Sequence, residues 1–306
     1  MSLLKLNRVL KQYEKVTAVN NVSFEVPEGA IFGLLGPNGA GKTSIIRMIT
    51  MITRPDEGDI YVAGKVVGRD DIGRIGYMPE ERGLYKKMNV QDHLLYLARL
   101  KGLSKSDANA ALDYWFDRFG IETWRKKNIE ELSKGMQQKI QFIATVVHDP
   151  TLIILDEPFS GLDPINTNLI KDEIYELSQK GKQIVFSTHR MEQVEEICDY
   201  IVLINKGENV LEGWVKDIKN SFRENLFEVQ VEGELPGSVL SQYTQRDQTR
   251  EGGYVLQLPE DKAGNELLKD LMDSGVVVTS FKEVLPSLNE IFIKHVGEYN
   301  PVLETA

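Results

Sequence analysis

The sequence predicts an α/β protein with a parallel sheet at its centre. The segment Ala30 to Leu35 is apolar throughout, as expected of a strand covered on both faces, and it runs through a Gly-rich loop into the helical stretch Lys42 to Met51. Two further apolar runs, Leu152 to Leu155 and Ile184 to Ser187, flank an amphipathic stretch from Asn166 to Gln179. Strands that alternate with helices in this way are typical of a parallel sheet.

Other periodicities surround this core. Alternation at Val22, Phe24 and Val26 predicts strands of a half-exposed sheet in residues 2–26. Between about 84 and 149 helical spacing dominates and predicts a helical subdomain, with apolar positions at Leu94, Leu97, Ala98, Ala111, Tyr114 and Trp115. A strand at Tyr200 to Asn205, the turn Lys206-Gly207 and a return strand to Glu212 follow the core.

The C-terminal residues carry a separate pattern. Strand-like runs occur at 227–231, 254–258 and 276–278, and helical faces combine Leu267, Leu268, Leu271 and Met272, and then Leu288, Ile291 and Phe292. We therefore predict a first domain at 1–218, a small α+β domain at 222–297 and a loose tail at 298–306.

Composition restricts the function classes. The net charge of −10 over 306 residues argues against general binding to nucleic acid. The single cysteine, Cys198, excludes an intrachain disulfide and fits a reducing compartment. The N-terminal residues lack the apolar run of a secretory signal, and no apolar stretch approaches the ~20 residues that cross a bilayer. We therefore expect any membrane role to need a separate partner.

The segment Gly36 to Thr43 has the pattern G-x-x-x-x-G-K-[ST] of a phosphate-binding loop. Its glycines allow successive main-chain N–H groups to point at phosphate oxygens, and the positive end of the next helix dipole points the same way. Lys42 is expected to reach the β- and γ-phosphates, and the Thr43 hydroxyl to hold Mg²⁺. The predicted nucleotide contacts are Gly36, Pro37, Asn38, Gly39, Ala40, Gly41, Lys42, Thr43 and Ser44.

Two adjacent acids, Asp156 and Glu157, follow the apolar run 152–155. Taken alone, such acids more often begin a solvated loop. Together with a phosphate loop, they predict a catalytic pair in which Asp156 positions Mg²⁺ and Glu157 takes a proton from the attacking water.

These motifs, in this order, resemble the nucleotide-binding subunits of ABC transporters over roughly Leu3 to Trp214. The resemblance implies a P-loop NTPase core with a mixed sheet, an antiparallel β subdomain and a helical subdomain, and it implies ATP and Mg²⁺ as ligands. It also implies that Tyr13 stacks on adenine and that His189 hydrogen-bonds the γ-phosphate. The C-terminal residues resemble the small accessory domain of some exporter ATPases.

Two motifs depart from the family pattern. The family's LSGGQ sequence contacts the γ-phosphate held by the opposite subunit, and here Ser133 and Gly135 match it whereas Lys134 and Met136 do not. Glu80 stands where the family usually has a glutamine that touches Mg²⁺ and the attacking water. A carboxylate can ligate Mg²⁺ but cannot donate a hydrogen bond as an amide does.

The resemblance further implies how the protein works. Two copies, or two paired ATPase subunits, dock head to tail and communicate through the loop that contains Asp163. Hydrolysis then drives a separate transmembrane permease, which holds the chain on the cytoplasmic face of the membrane, and the accessory domain favours export. Two alternatives stay open at this point: a soluble ABC ATPase of translation or DNA repair, and a regulatory module that binds ATP without hydrolysing it.

Overall fold

The computed structural model describes residues 3–81, 83–248 and 252–299 and divides the chain into two compact units, Met1–Val215 and Lys216–Ala306. The first unit contains, in chain order, β1 (Leu4–Tyr13), β2 (Val16–Glu25), β3 (Ile31–Leu35), α1 (Lys42–Ile49), β4 (Glu57–Val62), β5 (Lys65–Val66), β6 (Ile75–Met78), α2 (Val90–Leu100), α3 (Lys105–Phe119), α4 (Lys134–Val146), β7 (Leu152–Asp156), α5 (Pro164–Gln179), β8 (Gln183–Thr188), α6 (Met191–Ile197), β9 (Tyr200–Asn205) and β10 (Glu208–Trp214).

A mixed six-stranded sheet forms the centre of this unit, in the order β10-β9-β3-β8-β7-β6. The strands from β9 to β6 are parallel, and β10 returns antiparallel to β9. Every residue of β3, β7 and β8 is buried, which explains the apolar runs at 31–35, 152–155 and 184–186. The sheet register pairs Leu35 with Thr188 and Asp156 with Ser187, so these strands end side by side. The predicted α/β fold with a mixed sheet is confirmed.

A second, antiparallel sheet has the order β2-β1-β4-β5. Its inward side chains share one buried cluster with β3 and α1, in which the rings of Phe24 and Phe32 stack at 5.0 Å between centroids. Val22, Phe24 and Val26 are all buried, as their alternation predicts. This shared core fixes β2 and its backbone beside the end of β3.

Helices α2, α3 and α4 occupy the stretch predicted as helical. Ser104 caps α3 by accepting a hydrogen bond from the Asp107 N–H, and Gly120 ends the helix in a left-handed conformation. The predicted apolar face of α3 was partly wrong, because Tyr114 is 48% exposed. The buried face instead contains Leu112, Trp115, Phe116 and Phe119.

His93 of α2 is buried without a polar partner. Its relative exposure is 0%, and neither ring nitrogen has a hydrogen-bond partner among the described residues. The Tyr85 ring packs edge-on against it, with 5.6 Å between the ring centroids. Burial lowers the pKa of His93 from 6.5 to about 4. Between these values the unfolded chain binds a proton that the folded chain does not, so this contribution to stability is present above pH 6.5 and is lost as the pH falls towards 4.

We therefore expect His93→Phe to make the protein less sensitive to acid. The change in unfolding free energy caused by the substitution should be ~2 kcal/mol more favourable at pH 5 than at pH 8. The value follows because pH 5 lies about 1.5 pH units below the unfolded-state pKa, at 1.36 kcal/mol for each unit. Denaturant unfolding of both proteins at the two pH values measures this difference. An equal effect at both pH values would contradict the prediction, because any change in packing alone is independent of pH.

The second unit contains α7 (Val215–Ser221), β11 (Leu226–Val231), α8 (Gly237–Leu240), β12 (Thr244–Gln248), β13 (Tyr254–Gln257), α9 (Gly264–Asp273), β14 (Val278–Val284) and α10 (Leu288–Tyr299). Its antiparallel sheet, β12-β13-β11-β14, encloses a separate buried cluster with α9. The last strand lies further along the chain than the predicted run 276–278, and β12 was not predicted. Because α10 reaches Tyr299, residues 298 and 299 of the predicted tail are helical; residues 300–306 lie outside the described residues.

Among the helices within the described ranges, none is long and apolar enough to cross a membrane.

Candidate functional site

The loop Gly36 to Thr43 connects β3 to α1 and is closely surrounded by backbone. At Gly36 (φ 145°) an added Cβ would lie 2.1 Å from the Ile204 main-chain oxygen, and at Gly41 (φ 112°) it would lie 2.3 Å from that of Ala18. Glycine is therefore required at both positions by conformation and by space. The Ala40 carbonyl also accepts a hydrogen bond from the Gly207 N–H at 2.8 Å.

Lys42 lies folded over this loop. Its Nζ donates to the carbonyl oxygens of Gly36 at 2.6 Å and Pro37 at 3.1 Å, and only 8% of the residue is exposed. Burial lowers the pKa of Lys42, and the nearby charges of Asp156, Glu157 and Glu80 oppose this. The ammonium group is therefore bonded to the loop and is favoured by the charges of three carboxylates.

Asp156 ends β7 and is 4% exposed. Burial raises its pKa to about 6, although the Ser187 hydroxyl donates to Oδ1 at 2.8 Å and lowers it. A carboxylate in such a place gains from a cation, because a positive charge offsets the cost of burial.

Glu157 follows with a left-handed backbone, φ 52°, and is 8% exposed. Its Oε1 accepts from the His189 N–H at 2.9 Å and lies 2.6 Å from His189 Nδ1, while its Oε2 accepts from the Thr188 hydroxyl at 3.0 Å. Both partners lie where β8 ends. The acid is therefore an ordered group held against the neighbouring strand and not a solvated loop residue.

A cavity of about 330 Å³ lies in front of these groups. It brings together residues 38–44 of the loop and helix start, including Lys42, with the predicted acids, because β3 and β7 both end there; Gly36, Pro37 and His189 do not line it. The described residues that line it are Ala18, Asn38, Gly39, Ala40, Gly41, Lys42, Thr43, Ser44, Glu80, Asp156 and Glu157.

Several predicted site residues do not line this cavity within the described chain. Tyr13 is 37% exposed, with Lys11 Nζ 5.5 Å from its ring centroid. Ser133 caps α4 by accepting from the Met136 N–H at 3.3 Å, and Lys134 and Gly135 follow in its first turn. Asp163 caps α5, where Oδ1 accepts from the Asn166 N–H at 2.9 Å.

Sequence reasoning missed the residues that support the site. Ser187 and Thr188 hold the two acids, and Ala18, Ile204 and Gly207 surround the loop. The short sequence Ser187-Thr188-His189 contained a signal for the first pair, because hydroxyls at the end of a strand beside β7 can donate to its terminal acids. The loop contacts come from distant segments and left no local pattern.

A Gly-rich loop between a buried strand and a helix, facing two acids at the end of another parallel strand of the same sheet, defines a phosphate-loop nucleotide-binding protein. Comparison with known sequences narrows this class. Residues 19–160 match the family described as ABC transporter, and residues 213–296 match the C-terminal domain of ATP-binding proteins like DrrA1-3.

Relatives match nearly the whole chain. The "Uncharacterized ABC transporter ATP-binding protein YhaQ" of Bacillus subtilis (strain 168) is 42% identical over 96% of this chain and 99% of its own length. The "Bacitracin transport ATP-binding protein BcrA" of Enterococcus faecalis is 30% identical over 96% of both chains. A solved ATP-binding subunit of an ABC transporter is 30% identical, with a TM-score of 0.67 over 72% of this chain and 93% of its own.

This chain belongs to the ATP-binding proteins of ABC transporters, which are ATPases. The assignment to an ABC transporter is thereby confirmed over the alternative of a soluble ABC ATPase of translation or DNA repair.

Proposed function

We propose that the chain binds Mg-ATP in the 330 Å³ cavity and hydrolyses it to drive a separate transmembrane partner. The observation that carries this proposal is the convergence of the phosphate loop, Lys42, Asp156 and Glu157 on that one cavity. A triphosphate placed along the loop meets inward main-chain N–H groups and the start of α1, both of which favour negative charge.

The donor set of the cavity fits Mg²⁺. Thr43 offers a hydroxyl, and Asp156 and Glu80 offer carboxylates, and all three line the same space. Hard oxygen donors with room for phosphate oxygens and water suit Mg²⁺. The ion would neutralise charge on the β- and γ-phosphates, and it would also offset the burial of Asp156.

Glu157 is the proposed general base for the attacking water, and Lys42 the group that stabilises charge on the transferred phosphoryl group. His189 is the proposed contact to the γ-phosphate. Its side chain is 44% exposed, and its Nδ1 lies 2.6 Å from Glu157 Oε1. Because the ring is at the surface, it can turn towards a ligand without leaving a buried position.

Each ATP is proposed to lie between two copies that dock head to tail. The start of α4 carries Ser133, Lys134, Gly135 and Met136 on partly or wholly exposed positions outside the chain's own cavity. A helix N-terminus favours phosphate, and Lys134 adds a cation to it. Exposed Asp163, at the start of α5, is proposed to lie at the same contact between copies.

The driven partner is proposed to be a permease that places the chain at the cytoplasmic face of the membrane. The relative named for bacitracin transport supports a transport role, and the match of residues 213–296 to an accessory domain supports our proposal of export. No nucleic-acid partner is proposed, in line with the charge of −10.

Mixing two inactive variants tests the head-to-tail arrangement. Lys42→Ala removes the lysine of one binding half, and Gly135→Asp places a carboxylate where the opposite copy presents γ-phosphate. Gly135 tolerates a side chain because the nearest atom to an added Cβ, in Leu162, is 3.6 Å away. We expect each variant alone to be nearly inactive and an equal mixture to recover about a quarter of wild-type turnover, since half of random pairs contain one intact composite site.

The matched control is Gly135→Ala, which adds the Cβ without the charge and should keep most of the turnover. A mixture that stays as inactive as its components, while both variants remain folded, would contradict shared sites.

A further inference from the structure

The carboxylate of Glu157 is held on both oxygens by two consecutive residues of one neighbouring segment. The Thr188 hydroxyl donates to Oε2, and His189 contacts Oε1 through its N–H and its ring. The Glu157 N–H also donates to the Ser187 carbonyl at 2.8 Å. The acid is thus attached at backbone and side chain to the end of β8.

The two contacts differ in what they can do. The His189 side chain is partly exposed, whereas Thr188 is 1% exposed and lies at the end of the buried strand. A ring at the surface can leave Oε1 for another partner. A buried β-branched residue is stiff at χ1 and stays in place.

The hydrogen bonds around the Thr188 side chain determine which acceptor its hydroxyl proton is donated to. The Arg190 N–H donates to the hydroxyl oxygen at 3.1 Å, which occupies one of its lone pairs. Two acceptors are then within reach: Glu157 Oε2 at 3.0 Å and Gln193 Oε1 at 3.4 Å. The carboxylate is nearer and charged, so it receives the proton.

We propose that Thr188 is a positioning residue for hydrolysis, which holds Oε2 of Glu157 while His189 turns from Oε1 to the γ-phosphate. This inference rests on the proposed function. When the His189 ring turns away, its main-chain N–H still donates to Oε1, and the Thr188 hydroxyl remains as the side-chain contact that holds Oε2. The place of the ring at Oε1 then becomes available to the water. Without the hydroxyl the carboxylate would keep only the main-chain bond at Oε1, so its plane could turn about that bond and face the water in only part of its orientations. Misplaced groups lose rate steeply.

Replacement of Thr188 by valine tests the hydroxyl with little change in shape. We expect Thr188→Val to lower kcat about tenfold or more, the effect of losing a hydrogen bond to a charged group, while KM for ATP stays within about twofold. Thr188→Ser retains the hydroxyl and should restore most of kcat.

The matched control is Thr145→Val. Thr145 is also buried, at 3% exposure, and its hydroxyl donates to the Gln141 carbonyl, a helix carbonyl outside the ATP cavity. It should keep the wild-type kcat.

Two results would overturn the inference: a wild-type kcat in Thr188→Val, or an equal loss in Thr188→Ser. If Thr188→Val unfolds at a much lower temperature than the wild type, kcat is instead compared between Thr188→Ala and Thr188→Ser at low temperature. This pair again differs in the hydroxyl at position 188.

A double-mutant cycle separates this inference from the function on which it rests. With Glu157 replaced by glutamine, the valine substitution should cost no further turnover, since the group it orients is gone. A further tenfold loss in that background would show that Thr188 acts elsewhere and would overturn the positioning role. If Glu157→Gln itself leaves turnover unchanged, the proposed function fails first, whatever Thr188 does.

Discussion

Glu157→Gln should lose at least a hundredfold in ATP turnover while it keeps its ATP affinity, because general-base catalysis contributes about 10²- to 10⁴-fold. Glutamine has nearly the same shape and its oxygen still accepts a hydrogen bond, so the contacts from the end of β8 are retained in part. The amide cannot take a proton from water. ATP should therefore accumulate unhydrolysed and hold the two copies together.

Steady-state turnover and ATP-dependent dimerisation in analytical ultracentrifugation measure the two effects. The control is Glu122→Gln, which removes an exposed acid outside the cavity and should change neither. Undiminished hydrolysis by Glu157→Gln would show that another group activates the water.

Lys42→Ala should weaken ATP binding about a hundredfold or more, since two hydrogen bonds from a charged donor contribute roughly 1.5–3 kcal/mol each. The ammonium group bonds two loop carbonyls at the edge of a cavity that Lys42 itself lines, so it is placed to reach phosphate oxygens there. Calorimetric titration with Mg-ATP measures the loss.

The chain offers a matched control for this lysine. Lys101 is also a lysine whose pKa is lowered by burial, and its Nζ donates to the carbonyls of Ile72 and Ile75. It does not line the ATP cavity. Lys101→Ala should therefore reduce stability and leave ATP affinity as it is. Equal losses of affinity in both variants would show that Lys42 acts on the fold and not on the nucleotide.

The central strands and the phosphate loop could be predicted because their signals are local. A strand covered on both faces is mostly apolar, as in β3, and the loop's requirement for glycine at Gly36 and Gly41 is visible in the sequence itself. The parallel arrangement of the central strands could also be inferred, since parallel strands need the crossovers that the helical stretches supply, whereas their order in the sheet could not.

Elements without a local signal were missed or misplaced. All five residues of β12 are exposed and polar, so its pairing with β13 leaves no alternation to detect. On α3 the apolar spacing gave the correct helix but a partly wrong buried face, since Trp115 is buried and Tyr114 is exposed. The surface on which the helix packs is set by distant residues. The hydroxyl of Thr188 has meaning only beside Glu157, which is 31 positions away in the sequence.

The turn between β9 and β10 has a consequence for the thermodynamics of nucleotide binding. Gly207 donates to the Ala40 carbonyl and accepts from the Asn20 N–H, so it joins the phosphate loop to β2 through main-chain bonds alone. A loop already in its working shape gives up little conformational entropy when ligand arrives, and more of the contact energy is expressed as affinity. A hairpin turn more than 160 residues along the chain from the phosphate loop thus contributes to the affinity for the nucleotide.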